Sequence, residues 1–115
     1  MTGKPLAILS DGVVAEIGHV LKTWPDVYQE IAWGAKTHEF RKNDRGFKRG
    51  DLVLLREFEP AGERYTGRET LVQVGAISYG PEWGIPEGYA AFSVRVLAPQ
   101  RIIPVDGGEA ENGES

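Results

Sequence analysis

The sequence predicts a mainly-β domain of the α+β class, a small barrel of roughly five or six short strands with one or two short helices. Three observations lead there. The chain has 115 residues, enough for one domain with a modest core and not for two domains. Its 15 glycines and 7 prolines cut it into short segments, which favours strands over long helices. Between those breaks, apolar residues alternate or form short runs, as half-buried and fully buried strands do. With 41% hydrophobic and 26% charged residues, the composition is that of a folded globular chain and excludes a disordered one. No apolar run approaches the ~20 residues a bilayer-spanning helix needs.

The opening stretch contains the apolar run Leu6 to Leu9, too short for a secretory signal. Residues 1–18 are expected to form a loose arm or a short extra strand. His19-Val20-Leu21-Lys22-Thr23 alternates as a strand, and Trp24-Pro25 breaks it, because a residue before proline avoids the helical region. Pro25 suits the first turn of a helix, and Asp26 beside it suits the positive end of the helix dipole. Val27, Tyr28, Ile31 and Ala32 then recur at helical spacing, so residues 25–33 read as a short amphipathic helix stopped by Gly34.

Thr37 to Arg41 alternates as a strand and Lys42 to Gly46 is a turn by composition. Leu52-Val53-Leu54-Leu55 reads as a buried strand, and Glu59 to Glu63 as a hairpin connection. Leu71 to Tyr79 is another strand, Gly80 to Gly88 a loop, and Tyr89 to Leu97 the last strong strand. Arg101 to Val105 adds an edge strand limited by Pro99 and Pro104. The domain is therefore expected over residues 19–105. Residues 106–115 carry four acids, no base and no apolar anchor, and are expected to form a disordered acidic tail.

The formal net charge of −4 hides an internal asymmetry. Residues 36–49 hold Lys36, Arg41, Lys42, Arg45, Lys48 and Arg49 against Glu39 and Asp44, a local excess of +4. That pattern excludes a generic basic nucleic-acid binder but allows one focused basic site. With no cysteine there is no disulfide framework, thiolate metal site or cysteine nucleophile. His19 and His38 alone fall short of a histidine-rich metal site. No metal and no cofactor are expected.

The segment Gly34-Ala35-Lys36-Thr37-His38-Glu39-Phe40-Arg41 spells G-x-K-x-x-E-x-R. On a strand, the period of two places Thr37, Glu39 and Arg41 on one face and His38 and Phe40 on the other. Phe40 is expected to face the core. A carboxylate beside two cations suits a polar ligand: the cations can meet phosphate or carbonyl oxygens, and the carboxylate can accept from a base amino group. The bland alternative is a salt bridge from Glu39 to Arg41 or Lys36 on a solvated strand, which contributes little. Among the aromatics, Trp24, Trp33 and Tyr89 are assigned chiefly to packing. Trp83, in a Gly/Pro-rich loop, is the best candidate for stacking on a base. His19 is expected to close a hydrogen bond rather than to perform chemistry.

His19-x-Leu21-Lys22, the run Gly34-x-Lys36-Thr37-x-Glu39-x-Arg41-Lys42-Asn43-Asp44-Arg45-x-Phe47, Gly50-Asp51, Tyr65-Thr66-Gly67-Arg68 and Gly88-Tyr89 together closely resemble the DUF3850 family. The resemblance spans about residues 19 to 97, and that family looks related to ASCH domains and PUA-like folds. It implies a PUA-like small mixed β pseudo-barrel with a cleft lined by Lys36, Glu39 and Arg41. RNA binding is the usual proposal for ASCH domains, so an RNA or nucleotide-like ligand is expected here, with Lys36, Glu39, Arg41, Lys42, Asn43, Arg45 and Trp83 as the candidate binding residues. The runner-up is a small hydrolase on a modified nucleoside, or a ribonuclease, with Lys36 and Glu39 as the catalytic candidates. One ASCH-type group hydrolyses N4-acetylcytidine with a lysine, a threonine and a glutamate. Its lysine falls on Lys36, its threonine position is Glu39 here, and Glu69 is a candidate for its glutamate. A third reading is a protein-interaction module. A cytoplasmic location, no membrane partner and a monomeric state are the accompanying expectations.

Overall fold

The computed structural model describes residues 3–104. In chain order the elements are β1 (Leu6–Ile8), β2 (Val14–Glu16), β3 (His19–Thr23), α1 (Pro25–Ala32), β4 (His38–Lys42), β5 (Leu52–Glu59), β6 (Arg64–Tyr79), a 3-10 turn (Glu82–Gly84), β7 (Tyr89–Leu97) and β8 (Arg101–Ile103). The fold is mainly β with one short α-helix, as the segment pattern predicts. Val105 and the expected acidic tail at 106–115 lie outside the described residues.

Five strands form one sheet in the order β3-β5-β6-β7-β4, curled into a half-barrel. Only β3 and β5 run parallel; the other pairs are antiparallel. The two strands that flank α1 in sequence, β3 and β4, therefore stand at opposite ends of this sheet. The helix carries the chain between them and buries Tyr28 and Ile31. Pro25 opens it and Trp33 closes it, with the Trp33 amide donating to Gln29 O.

The main core lies on the concave face and includes Leu21, Val53, Leu55, Val72, Val74, Phe92 and Val94 from the strands. Phe47, from the β4–β5 connection, is buried among them. Burying side chains of this size stabilises by about 1.5–3 kcal/mol each. A second core forms on the outer face from Val20, Leu52, Leu54 and Leu71, which pack with Ala7 and Ile17. A small sheet in the order β2-β1-β8 stands over it. The opening stretch is thus an extra strand pair, with β8 completing the layer through Leu6↔Ile103 to Ile8↔Arg101.

Two departures from regular pairing shape the concave face. Between Val74 and Ile77 the β6–β7 register shifts. The Ala76 amide there donates to Ser93 Oγ at 3.0 Å, and a Cβ on Gly75 would collide with that same oxygen, so a side chain there would displace the Ser93 hydroxyl from this bond. Between Arg56 and Phe58, Glu57 alone faces the β6 residues 66–68. Gly67 accommodates this at φ +96°, a value that favours glycine.

One expectation is reversed. Phe40 is 52% exposed on the outer face, whereas Glu39 and Arg41 are buried on the inner one. The cause is the register with β7: Glu39 stands opposite the core residue Phe92 and Arg41 opposite Ala90, so the intervening Phe40 must point outward. Thr37 lies before β4 and is exposed; its carbonyl accepts from the Val94 amide at 3.0 Å.

These placements predict opposite costs for two phenylalanines. Phe47→Ala should lose about 3–5 kcal/mol, as a fully buried ring does, while Phe40→Ala should lose less than ~1 kcal/mol. Urea unfolding midpoints distinguish them, and equal losses would show that Phe40 is a core residue.

Candidate functional site

Strand β4 carries the sequence His-Glu-Phe-Arg-Lys and pairs with β7. Glu39 and Arg41, two residues apart, project side by side onto the concave face. Arg41 Nε donates to Glu39 Oε1 at 3.3 Å. Exposure is 5% for Glu39 and 6% for Arg41, so this is a buried ion pair and not the solvated surface bridge of the bland alternative. The contact is longer than the ~2.7–2.9 Å usual for a charge-assisted bond. The other oxygen, Glu39 Oε2, is buried and accepts no hydrogen bond among the described residues. A buried carboxylate oxygen in that condition retains much of its desolvation cost.

The remaining expected site residues occupy distinct places. Lys36 lies half-buried in the linker between α1 and β4, its amide bonded to Glu30 O at 2.9 Å. Lys42 is exposed on the outer face, across the strand from Arg41. Asn43 organises the following turn: its Oδ1 accepts from the Phe47 amide at 2.9 Å, and its own amide donates to Gly88 O at 2.7 Å. That last bond ties the Arg45-bearing turn to the 80–88 loop. Trp83, in that loop, is 87% exposed and sits in the left-handed region at φ +57°. Glu69, the candidate acid of the hydrolase reading, pairs with Arg56 at 3.1 Å.

An aromatic wall runs beside Glu39. The His19 ring packs on Phe47 at 4.7 Å between centroids, and Phe47 packs on Phe92 at 5.0 Å. His19 Nε2 lies 2.8 Å from Asp51 Oδ2, which also accepts from the Lys48 amide at 2.9 Å. Tyr79 Oη donates to Phe47 O at 2.8 Å. His19 thus ties β3 to the turn that precedes β5.

A second polar cluster centres on Glu57. Glu57, only 2% exposed, accepts from Arg68 Nε at 2.9 Å, Arg68 Nη2 at 2.8 Å and Thr66 Oγ1 at 2.7 Å. Nearby, Thr70 Oγ1 donates to Tyr28 Oη at 2.7 Å, and the Arg68 guanidinium lies 5.5 Å from the Tyr28 ring centre. Thr66 and Arg68 stand out in the sequence only through the family resemblance. Glu57 gave no local signal, because its burial depends on the three residues opposing it. Among the described residues, no three His, Asp or Glu side chains gather to hold a metal ion.

The family model for a domain of unknown function, DUF3850, matches residues 18–94. The chain belongs to the DUF3850 family. No curated protein matches it. The DUF3850 span contains Glu39–Arg41, the His19–Phe47–Phe92 stack and the Glu57 cluster. It leaves β1, β2 and β8 outside, so the small sheet is built from the segments flanking the match. Among the described residues, no helix is long and apolar enough to cross a membrane.

Glu57 makes a pH prediction. Hydrogen bonds from Arg68 hold its carboxyl below the usual carboxylate range; Thr66 and the nearby Arg68 charge add to this, while burial opposes it. A lowered folded-state pKa gives stability that is present above the unfolded value of about 4.3 and lost as pH falls through the folded one. The wild-type melting temperature should therefore fall further between about pH 6 and about pH 3 than that of Glu57→Gln. Parallel profiles would show that the Glu57 pair does not contribute to acid sensitivity.

Proposed function

We propose that this chain is a PUA-like module that binds RNA or a nucleotide-like ligand at the concave end of the half-barrel. The observation that carries the reading is the buried Glu39 carboxylate beside Arg41, with one oxygen that accepts nothing among the described residues. An unsatisfied buried acceptor costs about 1–3 kcal/mol, and more when charged. A ligand N–H removes that cost. Nucleobase edges offer an amino or imino N–H next to a carbonyl or ring acceptor, which matches a carboxylate next to a guanidinium.

A phosphate alone would place anionic oxygens against Glu39, so the inner end of the cleft suits a base, with phosphate left for cations near the rim. Lys36 and Arg45 flank β4 in sequence and are only half-buried. The bases of segment 36–49 are divided between faces: Arg41 is inside, Lys42 outside, and Lys48 and Arg49 in the next connection. This supports few phosphate contacts, about two or three, and a shallow salt slope of roughly −1.5 to −3. Trp83, exposed in the loop bonded to Asn43, adds a π-face for an unpaired base.

Fluorescence polarisation with short single- and double-stranded RNA tests this directly. Single strands should bind with the shallow slope above. Glu39→Gln, which keeps the shape but turns an acceptor oxygen into a donor, should weaken binding at least ~10-fold. Arg45→Glu should weaken all sequences alike, as a phosphate contact does. No measurable binding of any RNA or free nucleotide at about 50 mM salt would overturn the reading.

A further inference from the structure

We propose that the outer face of β4 and β7 is a stacking platform for single-stranded nucleic acid, so that β4 meets one strand on both of its faces. This rests on the base-binding reading of the concave end and adds a second, separate contact surface to it.

The register places His38, Phe40 and Lys42 opposite Ser93, Ala91 and Tyr89, all on the face away from the barrel interior. The Phe40 and Tyr89 rings lie nearly parallel, 14° apart, with centroids 5.3 Å from each other. Phe40 is half exposed, and neither ring belongs to either hydrophobic core. Ala91 and Ser93 beside them are small, so the surface around the rings is flat. The charged side chains on this face of the two strands are Lys42 and Arg95, both cations, and neither strand presents a carboxylate there. Arg95 is held in place by Gln73 Oε1 at 2.7 Å.

An aromatic pair with the Lys42 cation beside it, on a strand face that carries no carboxylate, complements a polyanion that carries π-faces. A protein partner would need a continuous apolar surface, and here small and polar residues surround the rings. Position in the sheet makes the two contacts compatible. β4 is the terminal strand, paired only with β7 in its sheet. Glu39 and Phe40 are adjacent on it and point to opposite faces, about 3.3 Å apart along the strand. A nucleic-acid strand crossing this edge can place one base against Glu39–Arg41 and a neighbouring base on Phe40–Tyr89.

The test compares homopolymeric RNA decamers with the corresponding nucleoside monophosphates on the full chain. The wild type should bind decamers more tightly than monophosphates. Phe40→Ala should weaken the decamer about 5- to 100-fold and leave the monophosphate unchanged, and Phe40→Trp should restore the decamer affinity. Lys42→Ala, which leaves the rings in place, should reduce the decamer's salt slope by about one phosphate contact. The platform is overturned if Phe40→Ala leaves decamer affinity unchanged. It is equally overturned if that variant weakens monophosphate and decamer alike, or if decamers bind no tighter than monophosphates. In that last case the inner site stands alone. Should neither probe bind the wild type, the base-binding reading fails and the platform with it.

Discussion

The half-barrel is a sheet that begins with β3 and ends with β4, and it holds together because Phe47 joins the two ends. Its ring packs between His19 on β3 and Phe92 on β7, the neighbour of β4. Four polar bonds fix the segment around it. Asn43 Oδ1 accepts the Phe47 amide, Tyr79 Oη donates to the Phe47 carbonyl, and Asp51 takes both His19 and the Lys48 amide. A sheet with two free ends needs something to cover its concave face. α1 covers one part, through Tyr28 and Ile31, and the Phe47 segment covers the other.

That closure creates a low-dielectric interior containing two carboxylates, which the fold treats differently. Glu57 is surrounded by donors: both its oxygens are used, by a bidentate guanidinium and a hydroxyl. Such a group is stabilised in its charged form and has little left to offer a ligand. Glu39 has one long contact to Arg41 and an oxygen with no hydrogen bond among the described residues. Both carboxylates lie on strands beside an arginine of the same face, yet only one retains unused capacity. That difference, and not the presence of charge, separates a structural pair from a candidate binding group.

The opposite side of the sheet is organised by apolar burial. Val20, Leu52, Leu54 and Leu71 would be exposed on the outer face of β3, β5 and β6 without the β2-β1-β8 layer. Ala7 and Ile17 are fully buried against them. The layer stops short of β4, where Phe40 and Tyr89 stand on the outer face without joining that core. The molecule therefore leaves the outer side of that end of the sheet uncovered, and the residues of the G-x-K-x-x-E-x-R segment sit at that end.

The local elements are legible in the amino-acid order, because each rests on short-range chemistry. Pro25 and Asp26 set the helix start, Gly34 follows its end, and the apolar alternation of Tyr89 to Leu97 marks β7. That order also singles out Glu39 and Arg41 as a pair, since a period of two puts them on one face whichever way that face points. Which face is buried follows from long-range strand pairing. Hydrophobicity argues for Phe40 inside, but the pairing of β4 with β7 places Glu39 opposite Phe92, and a strand cannot turn one residue without turning all. The burial of Glu57 likewise depends on Thr66 and Arg68 closing over it, and the small sheet depends on the pairing of β1 with β8. Leu6–Ile8 and Arg101–Ile103 meet in that small sheet, through a pairing between residues almost a hundred positions apart that no local pattern encodes.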